Sequence, residues 1–339
     1  AKVLVGCPVV TYTHYPTITA EMLQRVHEAR PTYNNDASIT SSTTLTSAKL
    51  LYYKAFAIMY SMAGYCADVV MVNSSWTKKH VDALWGSPRS LGQTDDGALV
   101  VFPPCNTTQL QTAPLNASAR LRSRVLVSVG QFRPEKDHRL QLAALAALRS
   151  RGGQYDDVKL QLIGGCRHAE DEQLVQGLRD YASELGVLGA VEFKLNEPFP
   201  QLMQALCKGA VGLHTMWNEH FGIGVVEMMV SWCVYVAALR PVQLGVFVQA
   251  AGMVTIAHNS GGPKADIIVP SGAKNGVGFL AATADEYADA IAATLDETFP
   301  VEPMLRRART HAARFSDEAF EKGFMQALLP ALNEVLGVS

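Results

Sequence analysis

Two glutamates frame the stretch best equipped for chemistry, Trp217–Glu227 (WNEHFGIGVVE). Glu219 and Glu227 stand eight positions apart around a turn that holds Gly222 and Gly224. The apolar run Ala210–Leu213 leads into this turn, and an apolar, helix-compatible segment leaves it. Glycines between a strand end and a helix start let backbone N–H groups come close to a ligand. The helix N-terminus adds a positive dipole end, which suits an anion. A carboxylate one turn into such a helix reaches the ribose hydroxyls of a nucleotide, while one before it faces the other end of the ligand. The outline is that of a nucleotide-sugar site.

The rest of the chain must then supply phosphate cations and further walls. After the predicted strand Val125–Val129 comes GQFRPEKDH, where Arg133 and Lys136 emerge three apart around a proline turn. A planar guanidinium and a point ammonium converging on one place would neutralise a diphosphate. A third such turn is HNSGGPKAD (His258–Asp266), in which Gly261 and Gly262 follow a strand and precede a helix. Three cation or glycine turns on one sheet edge point to a ligand crevice. No G-x-G-x-x-G follows the first strand, so a dinucleotide fingerprint is absent. There is no D-x-D pair and no Cys/His cluster, so the cations are expected from the protein and binding is expected to be metal-independent, with no cofactor. Neither G-x-S-x-G nor a cysteine nucleophile setting is visible.

The elements that must hold these residues read as α/β. The 339-residue chain is long enough for two domains, and its net charge of −2 and pI near 6.5 argue against a nucleic-acid binder. Six scattered cysteines without a C-x-x-C pair suit a reducing compartment better than a disulfide scaffold. Lys2–Val10 is a predicted strand ending at TYTHYPT, which puts His14 at the mouth of a parallel sheet. Residues 31–45 are polar and predict a loop. Lys49–Gly64 (KLLYYKAFAIMYSMAG) is apolar on most faces. A core helix is its first reading and a membrane-surface helix its second. Ala67–Val72 predicts a strand and NSSWT a helix cap. From Arg124 strands alternate with helices, which predicts a parallel sheet covered on both faces. The expected division is 1–102 as an N-terminal domain, 103–122 as a linker, 123–315 as a C-terminal domain and 316–339 as a terminal helix. Asn73, Asn106 and Asn116 each open an N-x-S/T triplet.

GQFRPEKDH, LIGGCRHAEDE, LHTMWNEHFGIGVVE and HNSGGPKADIIVP, with THYPT and VNSSWT upstream, resemble one family over nearly the whole chain. It comprises the GDP-mannose-dependent α-1,2-mannosyltransferases that extend the dolichol-diphosphate-linked oligosaccharide on the cytosolic face of the endoplasmic reticulum, in the pathway of protein N-glycosylation. The resemblance implies a retaining enzyme of GT-B type, with two Rossmann-like domains facing across a cleft. Its E-x(7)-E motif falls on Glu219 and Glu227. Glu219 would then contact the transferred mannose and Glu227 the ribose. Arg133 and Lys136 would clamp the diphosphate with help from the backbone of Phe221, Gly222, Ile223 and Gly224. Gly261 and Gly262 would complete the donor site, and His14 would face the reacting sugar. The implied partners are GDP-mannose, the dolichol-linked acceptor, the endoplasmic reticulum membrane and other mannosyltransferases of the pathway, with no nucleic acid.

The chain departs from the family in two places. It opens within an element and without Met, which reads as a fragment lacking the early glycine-rich loop and the anchor. The family-like text also breaks after Met229 and resumes at Ala250. The 20 intervening residues, Val230–Gln249, have no counterpart and carry the signature of a retained intron or a lineage-specific insertion. The competing readings are a GT-B transferase using another nucleotide sugar and a non-catalytic or mis-spliced chain.

Overall fold

The computed structural model describes residues 7–18, 43–86, 97–105, 107, 123–230, 253–269 and 275–337. These form two compact units, Ala1–Pro103 with Glu318–Ser339, and Pro104–Asp317. Most of Val230–Gln249, the stretch read as an insertion, lies outside the described residues, as do Asn106 and Asn116.

The first unit is built on a parallel sheet in the order β1 (Val10–Thr13), β2 (Val69–Val72) and β3 (Leu99–Val100). β1 starts where the sequence reading ends it. Its register, Val10 against Val69 through Thr13 against Val72, keeps the polar TYT segment inside the ladder. The tyrosine is accommodated because the Tyr12 hydroxyl donates to the Val101 carbonyl at 2.8 Å. Helix α1 (Thr43–Tyr65) precedes β2 and begins inside the predicted loop. Helix α2 (Ser75–Trp85) follows β2 and is capped by Ser74, whose Oγ accepts from the Thr77 N–H at 3.0 Å. Asn73 is buried and its Oδ1 accepts from the Thr77 hydroxyl at 2.7 Å, so this sequon serves the cap.

α1 is not a core helix. Leu51, Tyr52, Ile58, Met59, Met62 and Tyr65 are 61–70% exposed and recur along one stripe. The opposite side packs on α2, where the Tyr60 and Trp85 rings lie 5.2 Å apart and Gly64 makes room for the indole. Composition cannot say which faces of an apolar helix find neighbours. No helix among the described residues is long and apolar enough to cross a membrane.

The second unit carries a six-stranded parallel sheet in the order β6-β5-β4-β7-β8-β9. The strands are β4 (Val125–Val129), β5 (Lys159–Gly164), β6 (Val191–Leu195), β7 (Val211–His214), β8 (Val254–His258) and β9 (Phe279–Ala281). Successive residues of β4 face opposite sides, as the strand period demands. Leu126 joins the core under helices α3 (His138–Arg149), α4 (Ala169–Glu184) and α7 (Ala284–Leu295). Val127 joins the core under α5 (Phe199–Lys208) and α6 (Ile223–Val230). Helix α8 (Val301–Ala312) packs Val301, Met304 and Leu305 on Val254.

The terminal helix α9 (Asp317–Leu336) returns to the first unit. Its Ala327, Ala331, Phe320 and Phe324 pack with Val69, Met71 and Val101. The Met253 N–H donates to the Met228 carbonyl at 3.1 Å, so the chain re-enters beside the helix from which it departs.

Candidate active site

The strand order reverses between β4 and β7, since β4 hands its chain to β5 on one side and lies against β7 on the other. In an open parallel sheet the crevice beyond the carboxyl ends at such a switch point is the usual ligand site. The two loops that leave this point are GQFRPEKD after β4 and TMWNEHFG after β7. They meet directly. Lys136 Nζ lies 2.8 Å from Glu219 Oε2 and 3.2 Å from Met216 Sδ.

Each loop is held by identifiable contacts. Phe132 is fully buried and stacks on His138 at 4.9 Å, which anchors the turn after β4. Residues Pro134–Lys136 form a single 3-10 turn, and Asp137 then takes φ 47° while its side chain caps α3 through the Leu140 N–H. The buried Thr215 hydroxyl ties the two loops together. It lies 2.7 Å from the Lys136 carbonyl and 3.1 Å from that of Asp137, and it accepts from Gln141 Nε2 at 2.7 Å. His138 is buried with no facing carboxylate among its described contacts. Burial, then the Lys136 charge, lowers its pKa to about 4, so it stays neutral under the site.

Glu219 is largely enclosed, with 17% of its side chain exposed. Burial alone would raise its pKa. The hydrogen bond from His214 and the Lys136 ammonium outweigh that and hold the carboxyl well below its usual range. The turn around it rests on the loop after β8. The Asn218 N–H donates to Ser260 Oγ at 2.8 Å, and the Gly262 N–H donates to the Glu219 carbonyl at 2.7 Å. Gly261 and Gly262 lie against this turn. A Cβ on Gly262 would sit 2.5 Å from the His220 carbonyl oxygen, and Gly261 has φ 64°. Their immediate task is to let two backbones touch.

Gly222 takes φ 104° and accepts from the Val225 N–H at 2.9 Å, which starts α6. Phe221 is buried and packs edge-on against Phe315 at 5.3 Å, so only its backbone remains for a ligand. Ile223 is exposed, and a Cβ on Gly224 would meet nothing within 4 Å, so the helix start faces open space. Glu227 follows one turn later. Its side chain reaches solvent, yet partial desolvation raises its pKa. Arg133 is also exposed. Its guanidinium has Glu135 at 4.0 Å. His14 belongs to the first unit, exposed just past β1 with its ring 4.7 Å from that of Tyr12. Among the described residues no three His, Cys, Asp or Glu side chains gather as a metal site.

Sequence reasoning missed His214, Thr215, Gln141 and Ser260. Gln141 was visible in principle, because His138, Gln141, Leu142 and Leu145 share the i, i+3, i+4, i+7 face that α3 buries. A polar residue on such a face needs a partner.

Residues 1–85 match the family model described as ALG11 mannosyltransferase N-terminus, and residues 116–247 match Glycosyl transferases group 1. The human protein named GDP-Man:Man(3)GlcNAc(2)-PP-Dol alpha-1,2-mannosyltransferase is 43% identical over 330 residues, covering 96% of this chain and 61% of that protein. The protein of the same name from Dictyostelium discoideum is 36% identical over 98% of this chain and 61% of its own length. The chain therefore spans about three fifths of these relatives. Among solved structures, Anabaena HepE in complex with UDP and glucose superposes with a TM-score of 0.60 at 17% identity, over 96% of this chain and 73% of that one. A UDP-forming trehalose-phosphate synthase from Burkholderia xenovorans gives 0.63 at 12% identity, over 96% and 69%. These likenesses establish the fold as the GT-B type. With Lys136 and Glu219 meeting at the β4–β7 crevice, the chain is similar along nearly its whole length to proteins named GDP-Man:Man(3)GlcNAc(2)-PP-Dol alpha-1,2-mannosyltransferase.

Proposed function

We propose that this chain transfers mannose, with retention, from GDP-mannose to a dolichol-diphosphate-linked oligosaccharide through an α-1,2 linkage. The observation that carries the reading is the meeting of Lys136 and Glu219 at the switch point. Transfer needs a cation where the diphosphate leaves and a carboxylate where the sugar becomes cationic. In the reaction the bond from mannose C1 to the phosphate oxygen breaks as the acceptor hydroxyl oxygen bonds to C1 on the same face. The hydroxyl proton passes to the leaving phosphate oxygen. Charge grows on the diphosphate in the oxocarbenium-like transition state. Lys136, Arg133 and the N–H groups at the start of α6 stabilise that state more than the ground state, without a metal. Glu227 would take the ribose hydroxyls. The exposed stripe of α1 supports action at a membrane surface, the cytosolic face of the endoplasmic reticulum, where the acceptor's lipid resides.

Arg133 tests this reading because it holds little else in place. Its guanidinium is more than half exposed. Arg133→Ala is expected to lower kcat for mannose transfer about 10²–10³-fold while the melting temperature stays put. Initial rates with GDP-mannose alongside thermal unfolding decide the matter. Near-normal transfer by the variant would remove the diphosphate clamp from the account.

A further inference from the structure

Lys136 and Glu219 satisfy each other in the ligand-free site. A donor diphosphate that claims the Lys136 ammonium would take away the permanent cation that lies 2.8 Å from Glu219. A mostly enclosed carboxylate then needs another donor, or it takes up a proton and loses its charge. One group is already in place. His214, the last residue of β7, is 8% exposed at its side chain, and its Nε2 lies 3.3 Å from the same Glu219 Oε2.

The ring is set for this task. His214 Nδ1 is buried and has no hydrogen-bond partner. Of the two neutral tautomers, the one with its proton on Nδ1 would bury an unpaired donor and turn the Nε2 lone pair toward a carboxylate. The proton therefore belongs on Nε2, where it is donated to Glu219. The backbone beneath is fixed as well, because the buried Tyr287 hydroxyl donates to the His214 carbonyl at 2.7 Å. The neighbouring His258 on β8 turns its Nδ1 to Ser260 Oγ at 2.8 Å, and Ser260 in turn holds the Asn218 N–H of the glutamate's own turn. Among the described residues the ionisable groups around the carboxylate are thus Lys136 from the β4 loop, His214 from β7 and, behind it, His258 from β8.

We infer that His214 is a positioning residue that keeps Glu219 ionised and aimed at the sugar once the donor diphosphate has drawn Lys136 away. The inference rests on the mannosyltransferase reading for the identity of the ligand, but the His214–Glu219 link can be probed without ligand. Two substitutions separate a hydrogen-bond role from space filling. His214→Gln places an N–H donor near the position of Nε2, whereas His214→Leu fills the space and donates nothing.

In the ligand-free full chain, carbon NMR of labelled glutamate, assigned with Glu219→Gln, follows the Glu219 carboxyl. The background is Lys136→Met, which imitates departure of the ammonium. The expected result is that Glu219 titrates at higher pH with Leu at position 214 than with His or Gln. In the transfer assay, with Lys136 intact, His214→Leu is expected to cost about 10²-fold in kcat while GDP binding by calorimetry is unchanged, and Gln restores most of the rate. Identical titration of Glu219 with His, Gln and Leu overturns the inference whether or not the chain turns over. The expected titration in a chain that neither binds nor consumes GDP-mannose supports the positioning role and instead removes the function proposed for the site.

Discussion

Lys136→Ala is expected to slow mannose transfer about 10³-fold and to destabilise the second unit at neutral pH. The rate effect follows from the reaction, since the ammonium sits where diphosphate charge must develop. The stability effect follows from what remains. Among the described residues Glu219 would keep only the His214 hydrogen bond to its side chain, in an enclosed site. Breaking a buried ion pair costs roughly 3–5 kcal/mol. Lys136 and Glu219 keep 28% and 17% of their side chains exposed, so solvent takes up part of the loss and about 1–3 kcal/mol is expected. The sign with pH is fixed by the depressed Glu219 pKa. That stabilisation is fully present above the unfolded carboxyl's value of about 4.3 and is lost as pH falls through the lower folded value. The gap between wild type and variant in urea unfolding should therefore be widest near neutrality and narrow in acid. A gap that widens in acid would contradict the pairing.

Gly261→Ala should unfold the same region from the other side of the turn. A Cβ there would press on the Glu219 carbonyl oxygen and lie 2.8 Å from its N and 2.9 Å from the Asn218 carbonyl carbon. All three are backbone atoms, so no side-chain rotation relieves the clash. The φ of 64° adds the left-handed penalty for an L-residue. Overpacking costs about 1–3 kcal/mol and the conformation about 1–2 more, so roughly 2–5 kcal/mol is expected together. Gly224→Ala is the informative contrast. Its Cβ meets nothing within 4 Å and its backbone is helical, so folding should be unharmed, while the methyl enters the space through which a donor approaches the start of α6. Thermal unfolding and donor binding measured on both variants separate a structural glycine from a ligand-facing one. Equal melting temperatures for the two would refute the distinction.

Much of the second unit was legible because its strands are short apolar runs separated by amphipathic helices, a pattern that leaves few alternatives to a parallel sheet. Arg133, Lys136 and Glu219 could be placed at strand ends for the same reason. Strand order is different. Nothing local says that β4 lies against β7, and that adjacency turns two separate loops into a Lys136–Glu219 contact. Helix α5 opens with prolines at 198 and 200, which suit a first helical turn but give no helical period of their own. β9 has three residues, too few for a period. Gly261 and Gly262 read as a ligand turn, since a glycine looks alike in sequence whether it admits a phosphate or another backbone. His214 was missed because the predicted apolar run stops at Leu213, and a histidine just past it gives no sign of the carboxylate five residues on.

The most direct test incubates the full chain with GDP-mannose and a dolichol-diphosphate oligosaccharide, with UDP-glucose as the competing donor. GDP release, an acceptor longer by one mannose in α linkage, and little inhibition by UDP-glucose are expected. Consumption of UDP-glucose in place of GDP-mannose, or a product of β configuration, would contradict the proposed function.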